Sequence, residues 1–210
     1  MRRVDGFAIV IILTVLTGVI TLQFQAWFQT IQQNHPFVIG FLKFASIAII
    51  GDFLAARLRE KHWHVDGFLA KMGVWGLIGM SIVVIFPLFE LGIRGVFERF
   101  GWPEVTLLMA FFMSLTMNLF FAPLMMAFHR LTDGFIEALV KGQKTTFKHL
   151  IETMAWPQFL KFTLGKTIPF FWLPAHTLTF LMPDGWRVVY AALLGVSLGF
   201  FQGILRRQKA

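Results

Sequence analysis

The sequence predicts an all-α, polytopic transmembrane bundle of about six spans with both termini on the same side, and three observations carry that prediction. The first is length without charge: Val105–Phe128 runs 24 residues with no ionised side chain, and Met72–Phe89 and Val188–Leu205 run 18 each. A helix rises about 1.5 Å per residue and a bilayer's hydrocarbon core is roughly 30 Å thick, so about 20 apolar residues cross it. The second is composition: of 210 residues, 57% are hydrophobic and 14% charged, against about 25% charged in a soluble domain. The third is where the cations fall, between the apolar stretches rather than along one helical face. An ordinary surface helix keeps a polar face, and these stretches have none.

Gly6–Leu22 is the first span. Arg2 and Arg3 before it imitate a secretory signal, but its 17 residues exceed the roughly 7–15 of a signal core. Gln23-Phe24-Gln25-Ala26-Trp27 offers no small-x-small cleavage site, so the span is expected to remain attached. Phe37–Ala56 is the second and carries Lys43 and Asp52; Met72–Phe89 is the third and Val105–Phe128 the fourth. The fifth, near 159–182, is interrupted by Pro169 and Pro174 and needs Lys161 and Lys166 to snorkel. The sixth is Val188–Leu205. Together they make one membrane domain over residues 1–210. Asp133–His149 is polar and basic with apolar residues at helical spacing, which predicts a short amphipathic helix on the inner surface.

Loop charges support this count. With the N-terminus inside, the inner segments hold thirteen cations: Arg2, Arg3, Arg57, Arg59, Lys61, Lys71, Arg130, Lys141, Lys144, Lys148, Arg206, Arg207 and Lys209. The outer segments hold three, Arg94, Arg99 and Arg187. Cytoplasmic loops are the cation-rich ones, so the alternation predicts an even number of crossings. A net charge of +8 dispersed in this way points to positive-inside loops and not to nucleic acid. Cysteine is absent, which excludes disulfides and thiolate metal sites.

Charged and polar groups inside spans are the functional candidates, because each is costly there. Lys43 and Asp52 sit nine residues apart, on opposite faces of one helix, and are not expected to pair. Asp52, with its short side chain, needs an interior partner or a water-filled cavity. Asn118 lies mid-span and is expected to hydrogen-bond across the bundle. Pro169 and Pro174 free backbone carbonyls that His176, Thr177 and Thr179 could satisfy. Asp52, Asn118, Trp172, His176 and Arg187 are therefore the candidate lining of a polar cavity. Gly195, Gly199 and Gly203 stack on one helix face and suit close helix packing, inside the bundle or in a homo-oligomer. His62-Trp63-His64-Val65-Asp66 imitates a metal site but reads as an interfacial loop with a Trp anchor. Glu90 and Arg94 are spaced for an ion pair. No phosphate loop, nucleophile elbow or His-Glu-x-x-His occurs, so neither catalysis, nor a cofactor, nor a metal is expected.

Several short blocks then fall into a familiar order. Trp27-Phe28, Ile31, His35-Pro36 and Gly51-Asp52 with Leu54-Ala55 resemble the opening of the Mpv-seventeen and twenty-two-kilodalton peroxisomal membrane protein family. Phe121-Ala122-Pro123 is similar to its mid-chain element, and Met182-Pro183 with Arg187 to the start of its last span. The family's Gly-Pro…His-x-Trp-Tyr stretch and its closing Trp have no counterpart here, and Met117-Asn118 replaces its Asp-Gln. Its Trp-Pro…Asn-Phe signature fits either Trp156-Pro157 or Trp172-Leu173-Pro174. The resemblance implies a small multi-pass protein without cofactor, often of four spans, in a peroxisomal or mitochondrial inner membrane, or a cell inner membrane if bacterial. It implies a pore or channel for small solutes. A non-conducting scaffold or assembly factor is the rival expectation, and a lipid-modifying enzyme would need a carboxylate beside His176.

Overall fold

In the computed structural model residues 3–207 are described, with side-chain surroundings for 4–200. Gly203, Arg206, Arg207 and Lys209, like Arg2 and Arg3, lie outside the residues whose surroundings are described. Apolar runs bounded by Pro, Gly or charge become helices, and no strand occurs among the described residues. In order these are α1 (Arg3–Gln23), α2 (Ala26–Asn34), α3 (Pro36–Glu60), α4 (Phe68–Phe100), α5 (Thr106–Phe120), α6 (Ala122–Val140), α7 (Phe147–Thr153) and α8 (Trp156–Gln158). A π-helix over Phe159–Trp172 follows, then α9 (Leu173–Leu181) and α10 (Asp184–Arg207). Among the described residues three helices are long and apolar enough to cross a membrane: Val4–Gln23, Pro36–Glu60 and Phe68–Phe100. A fourth is added if the bent pair Thr106–Phe120 and Ala122–Val140 is one span.

Three expected elements change. The third span is the apolar part of α4, which runs 33 residues through Pro87 to Phe100, about 50 Å and longer than a bilayer is thick. The fourth is not one rod: it bends by 46° at Phe121, because Pro123 has no N–H for the ladder and instead enters the first turn of a new helix. The amphipathic surface helix is absent as a separate element. Asp133–Val140 continues α6, whose end is followed by Gly142 with φ +68°, a conformation that suits a residue without Cβ. There the Gln143 N–H donates to Ala138 O at 2.9 Å, closing a Schellman turn.

The chain folds as two compact units, Met1–Val83 with Asp184–Ala210, and Val84–Pro183. In the first, α3 is the central helix, with Ile47, Ala48, Ile49 and Ile50 all buried. Glycines set its crossings. A Cβ on Gly79 would lie 2.4 Å from Gly40 O, and one on Gly199 would lie 2.7 Å from Gly51 O, so α4 and α10 approach α3 backbone to backbone. Lys43 meets Gly185 while Gly51 meets Gly195, so α10 runs parallel to α3. Meanwhile α1 runs antiparallel to α3, with Asp5 bonded to Arg57 at one end and Gln23 to Lys43 at the other. Between these ends α1 turns Phe7, Val10 and Leu13 outward, as a helix bathed in lipid does.

In the second unit, Met109, Met113 and Met117 of α5 pack beneath α9, with Phe86, Phe97 and Phe180 also buried. Rings interlock, Phe97 edge to face against Trp102 and Phe112, and Phe86 tilted against Phe180. Pro169 lies within the π-helix, whose wider winding is a known response to residues that break the α-helical ladder.

Candidate functional site

The second unit holds a polar cluster in the middle of otherwise apolar helices. Ser114 and Asn118 stand four residues apart on α5 and so share a face; Trp172 and His176 stand four apart across the junction of the π-helix and α9. All four are buried. Asn118 Nδ2 donates to Ser114 O at 2.9 Å and lies 3.2 Å from His176 Nδ1. Ser114 O can only accept, so the amide nitrogen must face it, which orients the Asn118 side chain. His176 Nδ1 is then an acceptor, and the imidazole is neutral with its proton on Nε2. The Trp172 indole stacks on this ring at a centroid distance of 5.1 Å and 22° between planes. Phe86 presents an edge to it at 6.5 Å.

The hydroxyls are satisfied at one point. Ser114 Oγ donates to Leu173 O at 2.7 Å, and Thr177 Oγ1 donates to the same oxygen at 2.8 Å. Thr179 donates to Ala175 O at 3.0 Å. These bonds reach carbonyls one turn back on α9 rather than those opposite Pro169 and Pro174, a correction to the sequence expectation. A Thr hydroxyl inside a helix reaches the carbonyl four residues back without help from another element.

Two polar atoms of the cluster have no hydrogen-bond partner among the described residues: Asn118 Oδ1, an acceptor, and Trp172 Nε1, a donor. Leaving such atoms buried and unpaired costs about 1–3 kcal/mol each. Among the described residues no carboxylate, ammonium or guanidinium is hydrogen-bonded to the cluster. It is a neutral site with one open acceptor and one open donor.

The remaining residues expected at a polar cavity belong to the first unit. Asp52 Oδ2 accepts from Trp75 Nε1 at 3.0 Å. Arg187 is buried and its NH1 lies 2.9 Å from Asp184 Oδ1. Lys43 does not pair with Asp52; its ammonium bonds Gln23 and Gln32. Thus Asn118, Trp172 and His176 are brought together, and Asp52 and Arg187 each have their own partners. Glu90 and Arg94 form the ion pair their spacing predicts, at 3.0 Å. In the His62–Asp66 loop, His64 lies 2.8 Å from Asp66, and Trp63 donates to Asp5 at 3.0 Å. No cluster of metal-ligating side chains forms among the described residues.

Sequence reading missed Ser114, Phe86, Gln23 and Gln32. Ser114 could have been found from its four-residue spacing to Asn118. Gln23 and Gln32 flank the first and second spans and give no signal without the fold. No protein-family model, no curated protein and no solved structure matches this chain, so its chemistry is read from its own side chains.

Proposed function

We propose that the chain is a multi-pass membrane protein of the Mpv-seventeen type that acts as a pore for small neutral solutes. The observation that carries this reading is the pair of buried, unpartnered atoms, Asn118 Oδ1 and Trp172 Nε1, beside the neutral His176. A molecule that both donates and accepts, such as water, a small alcohol or an amide, carries the group that each of these atoms lacks. An ion would have no counter-charge among the groups bonded there. Apolar rings around the cluster restrict the contact to a few well-placed polar groups, as solute sites do.

The full topology belongs to the same proposal: six crossings with both termini on the cation-rich side. The first unit supports it. Asp5 lies beside Arg57, and α10 runs parallel to α3, so the end of α10 points to the face where α1 begins. Asp5 and Gln23 are 18 residues apart on α1, about 27 Å along the axis, close to the roughly 30 Å hydrocarbon core. The polar groups at the two ends of α1 thus match the two faces of a bilayer. Lipid is the solvent of the outward side chains, and the protein is non-enzymatic, without cofactor.

The test is flux. Proteoliposomes loaded with a small polyol should swell and relax faster than empty vesicles, and Asn118→Leu should slow them at least several-fold. Leak equal to that of protein-free vesicles would sink the pore and favour a non-conducting scaffold. Flux untouched by Asn118→Leu would move the path away from this cluster.

A further inference from the structure

Lys43 lies in the apolar part of α3 and is 4% exposed, yet no carboxylate pairs with it among the described residues. Its ammonium rests on three uncharged oxygens: Gln23 Oε1 at 3.0 Å, Gln32 Oε1, and Gly185 O at 3.5 Å. It also sits 5.5 Å from the centroid of the Phe28 ring. Hydrogen bonds and a ring face soften the burial of a cation, but they leave its charge uncompensated. Buried charges are ordinarily paired, and an ionisable group at membrane depth marks a site by default.

A second, independent observation points to what is missing. Gln23 is 3% exposed, and its Nε2 is a buried donor with no partner among the described residues. This donor belongs to the same amide whose oxygen holds Lys43. The first turn of α10 adjoins both, through Gly185. That turn ends in free backbone N–H groups and the positive end of a 24-residue helix dipole. Arg187 adds a guanidinium to the same turn, with Asp184 Oδ1 2.9 Å from its NH1. Gln32 and Gly185, on the rim, are only half-buried, so the site reaches the surface through them.

We propose that Lys43, Gln23, Gln32 and the first turn of α10 form a binding site for a phosphate group. Phosphate fits better than a single-charge carboxylate because its several oxygens can accept from the ammonium, the Gln23 amide and backbone N–H groups together. The depth fits too: Gln23 ends α1, where the chain leaves the apolar layer and lipid phosphates begin. An entering phosphate displaces Gln32 from the ammonium and takes the open Gln23 donor.

Thermal unfolding of the full chain in neutral detergent tests this, with three additions: inorganic phosphate, phosphatidylglycerol and phosphatidylcholine. A ligand that binds only the folded form raises the Tm. A rise of several degrees with phosphatidylglycerol alone identifies the lipid headgroup as the source; a rise with inorganic phosphate identifies a soluble anion. The decisive variant is Gln23→Glu, which supplies the missing counter-charge from within. It should fold with Tm at or above that of the unmodified protein and lose the response to either anion. Lys43→Gln removes the charge outright and should lose it as well. No anion-dependent rise in the unmodified chain, or an equal rise in Gln23→Glu, overturns the site. The outcome is independent of solute flux, which concerns the other unit.

Discussion

The two units bury polar groups in opposite ways. In the first, glycine contacts bring α3, α4 and α10 together backbone to backbone, and the polar bonds tying α1 to α3 sit at the helix ends. In the second, methionine and aromatic side chains fill the interior, and the polar cluster sits in the middle with two atoms left open. A close-packed glycine seam has no room to adjust, whereas methionine and ring packing tolerates change. The contrast separates a close-packed backbone seam from a side-chain-filled interior that leaves two polar atoms unpartnered among the described residues.

The largest effect expected from that contrast comes from adding one methyl group. Gly199→Ala places a carbon 2.7 Å from Gly51 O and 3.0 Å from Gly51 C; backbone cannot step aside, so stability should fall by about 1–3 kcal/mol. Gly92→Ala on α4 of the second unit meets nothing within 4 Å and should be neutral or stabilising by up to about 1 kcal/mol. Unfolding both in mixed micelles by titrated denaturing detergent reads the difference, and equal losses would erase the distinction between the two packings.

A smaller effect comes from the same substitution made in each unit. Trp75→Phe deletes the 3.0 Å bond to Asp52 and should cost about 1.5 kcal/mol, the value of a hydrogen bond to a charged group. Trp172→Phe deletes a donor that bonds nothing among the described residues while keeping a ring to stack on His176. It should cost less than Trp75→Phe, or stabilise, although it empties a more buried volume, because burying an unpaired donor is itself unfavourable by about 1–3 kcal/mol. A larger loss at Trp172 than at Trp75 would mean the indole N–H is engaged in the folded protein.

Much of the secondary structure was legible, and for one reason: in lipid every backbone group must bond within its own helix, so apolar length translates directly into helices. The glycine spacing of Gly195 and Gly199 was legible as packing because the absence of side chains is itself the signal. Pro123 warned of a break yet was read through, since a proline inside a long apolar run can kink a helix or restart it, and only neighbouring helices select between them. The membership of Asn118 and His176 in one cluster required α5 and α9 to pack, 58 residues apart in the chain. Gln23 and Gln32 were silent because an amide at a span's edge looks like an interfacial residue until a cation is found on it.

Taken alone, the order of residues determined that this is a helical protein of unusually apolar helices, and that its cations collect between them. Those are local properties, set by side-chain hydrophobicity and by the backbone's need for hydrogen bonds. Which polar groups meet was decided only by tertiary packing, since partners such as Lys43 and Gly185 are separated by 142 positions. No periodicity encodes such distances; the glycine seam and the ring contacts that bring the helices together do.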